Sequence, residues 1–96
     1  MPESIMPTEI ICGYKDDISI ASGRLTDKST PITKIVRARV RSLSGGAGYI
    51  ALGNEEEQPY RLTAVGAERD IDWIDDLSKV IASTDVGTGC LEWLGG

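Results

Sequence analysis

The chain has 96 residues, 41% hydrophobic and 26% charged, with a net charge of −5 and no histidine. A chain of that size suits one small domain, because it buries only roughly 60 to 65% of its unfolded surface, and this balance is too apolar for wholesale disorder. Its acidity argues against free nucleic acid as a partner, since phosphates call for a dominant cationic surface, and without histidine no Ser-His-Asp arrangement can be built.

Pro2 and Pro7 bracket an extended N-terminal arm, Met1 to Pro7, that cannot sit in a central strand because proline lacks the amide donor. The arm has no basic region leading into an apolar run, and no stretch approaches 18 apolar residues, so a signal peptide and a membrane span are both disfavoured. The remainder, residues 8 to 96, reads as one domain. Thr8 to Cys12 is predicted as a first strand, Tyr14 to Asp17 as a turn and Ile18 to Ser22 as a second strand, with Gly13 and Gly23 as punctuation. Arg24 to Thr30 is a polar loop ending at Pro31.

The segment Ile32 to Leu43 is the most informative in the chain. Val36, Ala38 and Val40 alternate with Arg37, Arg39 and Arg41, so a strand there buries one face and presents three guanidinium groups on the other. Ser44, Gly45, Gly46, Ala47 and Gly48 follow as a flexible turn, with a hairpin expected across it to Tyr49 to Leu52. Glu55, Glu56 and Glu57 mark an exposed loop before a strand from Tyr60 to Val65.

Gly66 to Ser83 is ambiguous. Ile71, Ile74, Leu77 and Ile81 have helical spacing, yet Arg69, Ile71 and Trp73 would share one face of a strand. Four Asp between Asp70 and Asp76 compete for backbone hydrogen bonds and disfavour a helix interior, so strand, Asp75-Asp76 turn and strand is the favoured reading. Val80 to Thr84 and Cys90 to Leu94 complete the pattern. About eight short strands separated by turns predict an all-β fold, a small β-sandwich or a jelly-roll-like barrel.

Cys12 and Cys90, the only cysteines, lie in apolar strand-like contexts that favour buried thiols; a bridge between the terminal strands stays open. The cluster Asp70, Asp72, Asp75 and Asp76 has neither the glycine bend nor the terminal glutamate of a calcium loop, so no metal site and no cofactor are expected. Paired carboxylates alone do not make a glycosidase, and no nucleophile motif is present, so the chain is not expected to be an enzyme. Trp73, Trp93, Tyr49 and Tyr60 fit a core or interface role better than a sugar platform in a chain without phenylalanine.

The arginine ladder has two readings. Cross-strand acids would make it a solvated face, and exposed ion pairs in general are worth only about 0 to 1 kcal/mol each. A partner would use three aligned arginines more fully. Residues 1 to 48 carry seven Lys/Arg against five Asp/Glu, whereas residues 49 to 96 carry three against ten. Opposed signs of this kind orient neighbours in an assembly.

The cadence of residues 35 to 96 resembles that of small virion proteins of tailed bacteriophages and prophages. The residues that carry it are Val36-Arg37-Ala38-Arg39-Val40, Gly48-Tyr49-Ile50-Ala51-Leu52-Gly53, Tyr60-Arg61-Leu62, Ile71-Asp72, Asp76-Leu77-Ser78-Lys79-Val80 and the closing Gly87 to Gly96. The resemblance implies a β-sandwich that decorates or cements a capsid at the virion surface, a homo-oligomer (trimer or dimer) bound to the major capsid protein. Arg37, Arg39 and Arg41 would form its docking face, with Tyr49 and Trp73 as apolar anchors. A head-to-tail or tail accessory protein, or a carbohydrate-binding module using Trp73 and Trp93, are the alternatives.

Overall fold

A computed structural model describes residues 11–96. Eight strands follow in chain order: β1 (Ile11–Ser19), β2 (Gly23–Arg24), β3 (Val36–Ser44), β4 (Ile50–Gly53), β5 (Tyr60–Leu62), β6 (Glu68–Ile71), β7 (Ile81–Thr84) and β8 (Thr88–Gly95). They form two antiparallel four-stranded sheets, ordered β1-β8-β3-β6 and β2-β7-β4-β5. The protein is therefore a small all-β fold, as its spacing of β-branched runs and turns predicts. The N-terminal arm, Met1 to Pro7, and the start of the first predicted strand lie outside the described residues.

The core fills the space between the sheets. Val36, Ala38 and Val40 of β3, Ile71 of β6, and Leu91 and Trp93 of β8 meet Ile50 and Leu52 of β4, Leu62 of β5 and Ala82 of β7. Each large aliphatic side chain buried here contributes roughly 1.5 to 3 kcal/mol relative to exposure. The alternation in β3 is followed residue by residue: Val36, Ala38 and Val40 are buried and the three intervening arginines are exposed.

Three local expectations are corrected. The turn expected over Tyr14 to Asp17 and the first two residues of the separate strand expected from Ile18 to Ser22 belong to one strand, β1, which ends at Ser19 and whose register shifts between Lys15 and Ile18. A β-bulge absorbs the polar Asp16-Asp17 pair without ending the ladder. Gly13 does not punctuate this strand either: a Cβ there would lie 2.9 Å from the Trp93 ring, so glycine lets the indole pack flat on β1.

The hairpin expected across Ser44 to Gly48 does not form. Gly45 and Gly46 do turn the chain, with φ of 66° and 87°, but β4 joins the second sheet while β3 pairs with β6 and β8. Every connection except β4–β5 passes from one sheet to the other. All four residues of β4 are buried, which suits a central strand of a sheet and not the half-solvated partner of the arginine strand.

The ambiguous segment resolves mainly as favoured, strand then turn then strand, with two differences. β6 stops at Ile71, leaving Trp73 in the connection, and a 3-10 turn occupies Leu77–Lys79. Asp76 caps that turn and accepts hydrogen bonds from Ser78 N (2.9 Å), Ser78 Oγ (2.7 Å), Thr30 N (2.8 Å) and Ser29 Oγ (2.7 Å). One carboxylate thus ties the loop before Pro31 to the connection between the sheets, and these donors, led by the Thr30 amide, hold its pKa far below the usual carboxylate range.

Candidate functional site: the outer face of the first sheet

Inter-strand register decides which side chains share the solvent side of the first sheet. One cross-strand row runs Cys12, Leu94, Arg37, Asp70, and the next runs Tyr14, Glu92, Arg39, Glu68. Arg41 stands beyond them, its guanidinium 5.4 Å from the centre of the Tyr14 ring. With Ile35, these groups line a shallow depression of about 900 Å³.

The charges on this face are matched. Arg37 Nε donates to Asp70 Oδ1 at 2.9 Å, and its Nη1 lies 4.0 Å from Glu68. Glu92 bridges Arg39, at 2.8 Å, and Arg41, at 3.8 Å. Three guanidinium groups therefore face three carboxylates supplied by β6 and β8. The hydrogen bond to Asp70 raises the pKa of Arg37 above its already high value, so that guanidinium stays charged at any working pH.

An apolar strip borders this lattice on the β1 side. Tyr14 on β1 and Leu94 on β8 are each 60% exposed, with the exposed Cys12 opposite Leu94, and Ile35, just before β3 and 46% exposed, continues the apolar area past Leu94. The face therefore combines a grid of ion pairs with exposed apolar area. It has the composition of a docking surface, in which apolar groups supply affinity and fixed charges supply orientation.

The other residues singled out from the sequence lie elsewhere. Tyr49, just before β4, lies beside the second sheet, with the Arg61 guanidinium 4.7 Å from its ring centre. Trp73 is half-buried against Tyr60, ring centres 5.2 Å apart, and the Arg69 guanidinium lies 3.8 Å from the Tyr60 ring centre. The structure thus groups Arg37, Arg39 and Arg41 and separates them from Tyr49 and Trp73. Trp93 lies in the core at 7% exposure, where its ring is not free to stack on a sugar. Tyr14, Ile35 and Leu94 are additions. The alternation of Leu91 and Trp93 with Glu92 and Leu94 marks the last of these, whereas Tyr14 is masked by its polar neighbours.

The thiols differ from expectation in one respect. Both are free, but Cys12 is exposed, because Gly13 faces Trp93 and so turns Cys12 outward. Cys90 is buried, and desolvation raises its pKa. The four aspartates are dispersed: Asp70 pairs with Arg37, Asp75 with Lys79 at 2.9 Å, and Asp76 caps the 3-10 turn, while Asp72 is exposed. Among the described residues no three potential metal ligands converge, and no helix is long and apolar enough to cross a membrane.

Searches of protein-family models, curated proteins and solved structures each returned no match to this chain.

Proposed function

We propose that the protein is a non-enzymatic structural component of a phage virion, a capsid decoration protein that docks on the head through the outer face of its first sheet. The observation that carries this reading is the pairing of Tyr14, Ile35 and Leu94 with an ion-pair lattice already satisfied within the chain. Charges paired across strands give a partner a pattern of sign to match, and the exposed apolar area supplies surface that a partner can cover. The balanced charge also specifies the partner: a surface of mixed sign fits this face better than a purely acidic one. A small core gains from such attachment, since binding to a repeated surface stabilises the bound fold by mass action.

The test is co-sedimentation of the purified protein with empty heads of the phage or prophage that encodes it. Wild-type protein should saturate the heads at one fixed stoichiometry, and Leu94→Asp should lower occupancy sharply while leaving the circular dichroism spectrum unchanged. Sedimentation of the heads without the wild-type protein contradicts the proposal.

A further inference from the structure

The four sheet edges are unequal. β2 offers two residues, β5 offers three with Arg61 at its centre, and β6 carries Glu68, Arg69 and Asp70. Each is short or charged, the usual defences of an edge against pairing with another chain. β1 is different: nine residues long, it has no ladder partner on its outer side among the described residues. Only its second half is guarded, by the bulge and by Asp16 and Asp17. The first half, Ile11 to Tyr14, carries no charge, no proline and no bulge. Beside it runs a groove of about 490 Å³ that Leu25, Lys28, Pro31, Leu77 and Trp93 also line.

We propose that this edge pairs antiparallel with β1 of a second copy of the chain, about a two-fold axis at Gly13. An axis at Gly13 sets the uncharged residues Cys12 and Tyr14 opposite each other and leaves the bulge between Lys15 and Ile18 at the end of the shared ladder. The choice of a second copy follows from charge and position. Two chains of net charge −5 repel over most of their surface and meet best along a segment without acidic side chains, as Ile11 to Lys15 is. A segment paired with itself about a two-fold axis is self-complementary. The register sets Cys12 opposite Tyr14 of the partner subunit, so these two residues at the rim of one outer face come to the centre of two. The product is one eight-stranded sheet with both outer faces on the same side. This association needs no virion and stands whether or not the face docks on a capsid.

The experiment is light scattering across a concentration series, combined with oxidative cross-linking. The wild-type protein should reach twice the monomer mass. Tyr14→Cys should give a covalent dimer on non-reducing gels, because residues directly opposite on antiparallel strands have Cα atoms roughly 4.5 to 5.5 Å apart, within disulfide reach. Adding Cys12→Ser should abolish it. Tyr14→Lys should weaken association about tenfold or more by placing charge on the shared edge. A monomer at every concentration reached, or a dimer indifferent to Tyr14→Lys whose Tyr14→Cys form does not cross-link, overturns the proposal. Ile20→Cys, at an exposed position past the bulge, should stay uncross-linked; a covalent dimer there refutes the register.

Discussion

The two sheets share one core but treat their solvent sides differently. In the first sheet, β3 alternates strictly and leaves Arg37, Arg39 and Arg41 outside, to be met by carboxylates of β6 and β8. In the second, all four residues of β4 are buried, and the loop after it folds back so that Asn54 accepts hydrogen bonds from Glu56 N and Glu57 N while its own amide donates to Glu57 O. One outer face is thus open and patterned, and the other is partly roofed by its own loop. Burial on both sides of a strand makes stability, whereas burial on one side leaves the other free for a partner.

The largest expected effect breaks the shared core. Leu52→Ala in β4, at a fully buried position, should cost about 2 to 5 kcal/mol in denaturant unfolding, through lost burial and the cavity left behind. Leu94→Ala on the open face should stay within about 0.5 kcal/mol of wild type in the same measurement. Equal losses at the two positions would erase the distinction drawn between the faces.

Acid sharpens the comparison from another side. Hydrogen bonding to the Lys79 ammonium holds the Asp75 carboxyl below its ordinary pKa, the Thr30 amide and its companions do so for Asp76, and the Gly48 amide does so for Asp85. A carboxyl whose folded pKa is depressed stabilises the fold fully above its unfolded value of about 3.9, and that contribution is lost as pH falls through the folded value. The thermal midpoint should therefore drop steadily below about pH 4. Asp76→Asn should lower the midpoint at neutral pH and flatten this acid limb. An unchanged acid limb in that variant would show that the cap contributes nothing to the pH dependence.

The smallest effect on stability belongs to the arginines. Arg37→Ser, Arg39→Ser and Arg41→Ser together should barely move the thermal midpoint, since all three side chains are exposed, yet should reduce head occupancy by leaving Glu68, Asp70 and Glu92 unmatched. Normal occupancy would remove the arginines from the docking face.

How much of this is legible in the sequence follows the same division. Period-two alternation in Val36 to Arg41 announces both the core side of β3 and its open side, because the signal is local. The partners of those arginines are not legible: Asp70 and Glu92 lie 33 and 53 residues away from Arg37 and Arg39, and only the register of β6 and β8 brings them in. The crossing at Gly45-Gly46 is hidden for a related reason, since a turn with positive φ serves a hairpin and a change of sheet equally well. Within β1, the Lys15-Asp16-Asp17 run imitates a turn because a bulge and a turn favour the same polar residues. Tyr14, and with it the apolar border of the candidate site, is lost from view there.

The most direct measurement is hydroxyl-radical footprinting of the protein free and bound to heads at the same concentration. The proposed docking face predicts protection of Ile35 and Leu94 on binding, with labelling of Val86 and Tyr49 unchanged. Protection of Tyr49 with Ile35 and Leu94 still labelled would place the contact on the second sheet and contradict the account.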